Sequence, residues 1–260
     1  MTTEDIITHI FCYVDDRMKD FRKHTQAELY PSEVVTLGMV FALKGGYFSS
    51  FYRWLRRDYL ALFPGLPDRT RLQRLLKKHV NWFEHFLVKP TFFTVMDTYP
   101  IELLFPIREG RSAQQIGKKN RDKGRWSIGI KLCWLLTTNG RVVAWDWNTM
   151  NTPDQDFHHV AEPFDGQTIV CADWGFRSKQ GIPANMKLCK KGTWNERMFI
   201  EMAFSMVTVV CDLKRIHHRV RDYITARVAC VSAMFNVLLD LFDSLFPDSD
   251  RRMSICEFSL

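Results

Sequence analysis

The sequence predicts an α/β chain. A helical N-terminal domain at residues 1–88 precedes a mixed sheet flanked by helices at residues 89–246, with a polar tail at 247–260. Three observations carry this. Residues 91–96 and 167–172 are short runs of β-branched and apolar residues, each followed by an aspartate, Asp97 and Asp173. Asn139-Gly140 joins two strand-like runs, 125–137 and 141–147, and that dipeptide between apolar runs is the strongest short-range hairpin signal. Apolar residues recur at helical spacing through residues 1–88, and again from Trp194 to about residue 246.

In chain order, Ile6, Ile7, Ile10, Phe11 and Val14 mark a first helix. A second covers residues 34–43, with Ser32 as the expected N-cap after Tyr30-Pro31 and Gly45-Gly46 as its end. Residues 48–62 are aromatic and basic at once (Tyr52, Arg53, Trp54, Arg56, Arg57), and Phe63-Pro64-Gly65 stops them. Asp68 should cap a helix at 69–87 carrying Arg71 and Arg74. Past Lys89-Pro90 the strand at 91–96 is expected to end on Asp97, and a basic, glycine-containing loop leads into the hairpin. Thr152-Pro153-Asp154 reads as a helix entry, Thr152 as cap and Pro153 first in the helix. The strand at 167–172, a short one at 186–189 and the helical run from Trp194 complete the order, which makes a mixed sheet with helices packed on it.

With 46% apolar, 13% aromatic and 25% charged residues the chain can bury a sizeable core. Its apolar runs, 34–43 and 228–242, read as too short or too interrupted for a membrane span of about 18–20 residues. The N-terminus has no signal-peptide pattern, so a cytoplasmic protein without a membrane partner is expected. Seven scattered cysteines without a C-x-x-C pair fit reduced thiols rather than a disulfide scaffold or zinc site. No phosphate loop, GxGxxG, GxSxG or HExxH is present. The net charge of +7 is concentrated: residues 108–131 hold eight Lys/Arg against two acids, and residues 177–227 eleven against four. Such a field suits a polyanion, nucleic acid above all. Arg56, Arg57, Arg71 and Arg74 on the N-terminal helices, and Lys118, Lys119, Arg121 and Lys123 in the basic loop, are the candidate contacts.

Asp97 and Asp173 each close an apolar strand. A charge there costs free energy unless compensated, and ligands collect at the carboxyl ends of strands in open sheets. If the strands are parallel neighbours the carboxylates share one volume, and a divalent cation relieves their repulsion; otherwise each simply begins a turn. Trp194, Arg197, Glu201, Ser205, Thr208 and Asp212 fall in steps of three and four, one stripe of a helix otherwise rich in apolar residues. Glu201 on that stripe is either an acid facing the sheet or half of an Arg197–Glu201 surface pair. Glu196 lies about 140° around the helix from it and cannot face the same way. Asp154 is either a supporting carboxylate or a helix-start residue.

The blocks VMDTYP around Asp97, GIKLCWLLTTNGRVVAWDW, NTPDQD, CADWGFRSK around Asp173 and WNERMFIEMAFSMV around Glu201 resemble, in this order, bacterial insertion-sequence transposases of the DDE class. The helix signature of those relatives, Tyr-x2-Arg-x3-Glu-x6-Lys, reads Trp194, Arg197, Glu201 and Thr208 here, with two of its four positions changed. The resemblance covers most of the chain. It implies an RNase H-like catalytic core in which Asp97, Asp173 and Glu201 hold two Mg²⁺ ions, with Mn²⁺ as substitute. It implies an endonuclease that cuts transposon ends and joins them to target DNA. Arg197 and the basic loop would grip phosphates, and Trp194 or Trp174 would stack on an unpaired base. Terminal inverted repeats, target DNA and a second copy in a homodimeric transposition complex are the implied partners. The competing expectation is a DNA-binding descendant of a transposase that no longer catalyses.

Overall fold

The computed structural model describes residues 1–110, 116, 119–122, 125–190, 197–247 and 255–260. Trp194, Glu196, Lys118, Lys123 and the side chain of Arg197 lie outside the described residues. The chain forms two compact units: Met1–Phe86, Met206–His217 and Asp222–Leu260 in one, Leu87–Ser205 and His218–Arg221 in the other.

The first unit is helical: α1 (Thr3–Arg17), α2 (Pro31–Lys44), α3 (Phe48–Asp58), α4 (Arg69–Lys78), the end of α5 (Arg197–Val210) and α6 (Arg221–Leu245). Local chemistry sets the ends. Thr2 and Asp5 exchange capping hydrogen bonds at α1, and Asp68 accepts from the Thr70 and Arg71 amides at α4. Gly45, at φ 69°, ends α2 as expected. Ser32 is not the cap of α2. Pro31 is already its first residue, so Tyr30 holds the cap position, its amide donating to Glu33 Oε2 at 2.6 Å, and Ser32 is buried.

Helix α2 is buried nearly all round, as a central helix must be when it is apolar on every face. Helix α6, which the sequence reading gave to the sheet, satisfies its polar groups in the helical unit instead. Tyr13 donates to Asp240, and Asn236 donates to the Phe86 carbonyl at 2.9 Å. Arg227, 3% exposed, donates to the carbonyls of Phe41, Ala42 and Cys211 and lies 4.4 Å over the Phe41 ring. By length and composition α6 is apolar enough to cross a membrane, but 78% of that apolar window is buried inside the fold. The helical run expected from residue 194 to 246 is broken between Val210 and Arg221, where Asp212 takes a left-handed φ of 48°. In the tail read as polar, Ile255 and Phe258 are fully buried.

The second unit is a six-stranded mixed sheet flanked by helices. Its strands are β1 (Phe93–Leu104), β2 (Lys119–Asp122), β3 (Arg125–Thr137), β4 (Val142–Thr149), β5 (Ile169–Ala172) and β6 (Met186–Leu188). Strand β1 is central, antiparallel to β3 on one side and parallel to β5 on the other. Strands β2 and β4 both pair antiparallel with β3, and β6 runs parallel to β5. The β3–β4 hairpin turns at Asn139-Gly140, with Gly140 at φ 83°. Strand β1 does not stop at Asp97. Pairing with β5 ends at Met96, but pairing with β3 carries β1 on to Leu104. Along that stretch Gly129 passes the Ile101 carbonyl so closely that a Cβ would lie 1.9 Å from its oxygen. The basic loop, for its part, supplies β2. Residues Asp154–Val160 form a 3-10 helix; Pro153 is its cap residue and Thr152 makes no side-chain cap. One sheet face is sealed by Met96, Cys133, Leu135, Val170, Ala172, Phe157 and Phe176.

Arg227→Met removes three donors from buried carbonyls and is expected to cost roughly 3 kcal/mol in urea unfolding; unchanged stability would mean that the arginine's own desolvation outweighs those bonds. Burial pushes the Cys211 and Cys230 thiols up to about 12 from 9.0, with Arg227 pulling the other way. The unfolded chain therefore loses these protons first as pH rises past 9.0. Their stabilising contribution is complete below that pH and declines above it, so a Cys211→Ala/Cys230→Ala variant should show a flatter fall in urea midpoint on the alkaline side.

Candidate functional site

Register puts the two strand-end aspartates side by side. Phe93 to Met96 pair with Ile169 to Ala172, so Asp97 and Asp173 are each the next residue beyond the last pair on neighbouring parallel strands. Such strands lie about 4.8 Å apart, and in-register residues share a face. Alternation along β1 sends Met96 and Thr98 to the sealed face and Asp97 and Tyr99 to the other. Phe204 of α5 stacks on Tyr99 (4.7 Å) and on Trp134 (5.1 Å), the residue paired with Asp97 across β1 and β3. Helix α5 therefore covers the face to which Asp97 and Asp173 belong, and Glu201 lies three residues before its anchoring Phe204.

Each carboxylate is held locally. Asp97 Oδ1 accepts from the Thr98 amide and Asp173 Oδ1 from the Gly175 amide, both at 2.8 Å. The second bond starts the short turn Trp174–Phe176, which leaves Trp174 48% exposed with Arg177 5.6 Å over its ring. Asp154 reaches the same turn from the 3-10 helix. A Cβ on Gly175 would lie 2.5 Å from Asp154 Oδ2 and 2.9 Å from Asp173 Oδ1, so glycine is required for the two carboxylates to close on it. Asp154 Oδ1 accepts from Thr98 Oγ1 (2.9 Å) and from Lys131 Nζ (2.8 Å), and Lys131 also donates to the Thr152 carbonyl (2.7 Å). Lys131 and Asp154 are only 15% and 25% exposed, so the pair is screened weakly.

The sequence reading missed Lys131 and Thr98. The signal was a lone lysine inside the apolar strand run IGIKLCWLL, a charge that needs a buried partner. Cys133, one strand position along the same face, sits fully buried near Asp97, Asp154 and Asp146; burial first and these carboxylates second raise its thiol well above its ordinary value.

Of the two expectations for Glu201, an acid facing the sheet or one on the surface, its exposure agrees with the second. The buried side of α5 is Ile200, Ala203, Phe204 and Val207, while Glu201 and Ser205 are exposed on its flank, and Asp212 lies beyond the helix. Among the described residues no three His, Cys, Asp or Glu side chains stand close enough to hold an ion together.

Of the expected nucleic-acid contacts, Lys119 and Arg121 lie on β2 across from Trp126, 4.9 and 5.9 Å from its ring, and Trp126 is 46% exposed. Arg56 and Arg57 are exposed in the last turn of α3, with Arg57 forked onto Asp58 at 2.6 and 2.7 Å. Arg71 pairs with Glu28 at 3.0 Å, and Arg74 is exposed. The sequence matches no protein-family model and no curated protein.

Lys131→Met leaves Asp154 charged beside Asp173 without its counter-ion and is expected to cost about 2 kcal/mol. Adding Asp154→Asn should recover most of that loss, as a double-mutant cycle in urea would read. Additive losses would show that Lys131 does not serve as the counter-ion of Asp154.

Proposed function

We propose that this chain is a DNA transposase of the DDE class, with an RNase H-like core formed by the sheet unit and nucleic-acid contacts spread over both units. The observation that carries this reading is that Asp97 and Asp173 each follow the last paired residue of neighbouring parallel strands, under a helix that bears Glu201. The blocks of sequence that resemble such transposases fall on the elements that build this sheet end.

The donor set fits a hard divalent cation: carboxylate oxygens only, two of them brought together by strand register. Asp97, Asp173 and Glu201 would hold Mg²⁺, which supplies a Lewis acid for phosphoryl transfer when bound. The chain's own groups do the rest. Thr98 and Gly175 amides fix the two aspartates, and the Lys131 ammonium satisfies Asp154, so that Asp154 supports the site rather than competing for the cation. Trp174, exposed beside Asp173 with Arg177 over its ring, offers a base a stacking surface next to a cation. Lys119 and Arg121 supply phosphate contacts whose affinity falls steeply with salt. End DNA, target DNA and a second copy of the chain are the partners this reading requires.

The exposure of Glu201 and the absence of a tight three-carboxylate group among the described residues favour a second reading, a DNA-binding protein that has lost catalysis. One experiment separates them. A supercoiled plasmid carrying the DNA that flanks the gene is incubated with the protein and Mg²⁺, and nicking is followed on gels. Wild type should nick it; Asp97→Asn, Asp173→Asn and Glu201→Gln should each lower the rate at least about 100-fold while retaining DNA in a gel shift. Nicking by these variants at the wild-type rate overturns the site, and DNA retention without nicking by the wild type establishes the second reading.

A further inference from the structure

A cavity of about 390 Å³ opens within the helical unit, between the segment 22–34 and helix α4 with the turn that follows it. That is within the range of about 300–1,000 Å³ for small-ligand sites. Its lining divides by chemistry. One part is cationic: Arg22, Arg71 and Lys78, against a single acid, Glu28. Glu28 is spent on Arg71 at 3.0 Å, so the charge left over is positive. The other part is apolar and aromatic, and includes Leu29, Val34 and Leu75. There His79 and Trp82 stack with ring centroids 3.8 Å apart at 18°, and Phe21 braces Trp82 edge-on from behind at 6.2 Å. Burial, and then Lys78, lower the His79 pKa below its ordinary 6.5. The imidazole is therefore neutral at pH 7 and belongs to the aromatic wall rather than to the cationic side.

A ligand matching this lining needs both an anionic group and a flat ring. A bare phosphate makes no use of the aromatic wall, and an uncharged aromatic makes no use of the Arg22 and Lys78 charges. We infer that the cavity binds one nucleotide, its phosphate toward Arg22, Lys78 and Arg71 and its base against the His79–Trp82 wall. The ligand is either a free nucleotide or an unpaired nucleotide of a DNA strand, since both present the same two groups. The cavity is independent of the chemistry proposed for the sheet end and involves none of its residues.

The test is calorimetric titration of the full-length protein in EDTA, so that no divalent ion takes part. The probes are deoxyadenosine monophosphate, deoxyadenosine, inorganic phosphate, and short duplexes with either a blunt end or one unpaired terminal nucleotide. The nucleotide is expected to bind at least tenfold more tightly than deoxyadenosine or phosphate. Arg22→Ala/Lys78→Ala, two exposed positions, should weaken the nucleotide at least tenfold and leave deoxyadenosine unchanged. Trp82→Leu should weaken both, with an unaltered thermal melt as the check that it folds. A duplex with an unpaired nucleotide that outcompetes the blunt duplex in wild type, and loses that advantage in the arginine–lysine variant, identifies DNA as the source. Binding of the free nucleotide alone identifies a soluble one. Phosphate binding as tight as nucleotide binding, nucleotide binding unchanged in the arginine–lysine variant, or no binding of either nucleotide form overturns the inference.

Discussion

Parallel pairing between β1 and β5 is the constraint on which the sheet end depends. Its register is set by apolar alternation: Met96 and Ala172 must both reach the sealed core beneath the sheet. A slip of one residue would expose them and bury Asp97 or Asp173 without compensation. The packing of these hydrophobes thus fixes which way the two acids face. Gly129 adds to this on the antiparallel side, because its close approach to Ile101 leaves β1 and β3 a single fit in that stretch.

Around that pair the structure settles charge by short, local bonds. Asp97 and Asp173 each use a following backbone amide, and Asp154 uses a hydroxyl and an ammonium. Asp154 is neutralised by the protein itself, through the Lys131 ammonium at 2.8 Å.

What was legible in the sequence followed from local chemistry. Asp68, Gly45 and Asn139-Gly140 specify a cap, a stop and a turn by their own geometry, and all three act so in the fold. The two strand-ending aspartates were readable because a charge after an apolar run has few innocent explanations. What was illegible depended on partners far along the chain. KNRD has no strand signal of its own and becomes β2 only because the start of β3 offers an edge. The break after α5 carries neither glycine nor proline, and its turn rests on Asp212 in a left-handed conformation. Glu201 was placed on the correct helix, but its exposure depends on which side of α5 Phe204 anchors, which periodicity alone leaves open by a quarter turn. Ile255 and Phe258 looked like the end of a polar tail because two apolar residues form no pattern, yet both are buried.

Helix α6 has one more consequence. The helical unit takes its first 86 residues from the start of the chain and its long buried helix from residues 221–245, so the sheet unit is inserted into it rather than appended. During synthesis at roughly 5–20 residues per second the apolar sides of α2 wait many seconds for their covering helix to leave the ribosome. Until then α2, buried on nearly all sides in the finished fold, is a long apolar surface with no cover, while the inserted sheet already has every strand it needs. Assembly order is therefore the reverse of chain order: the unit that begins the sequence is the last to close.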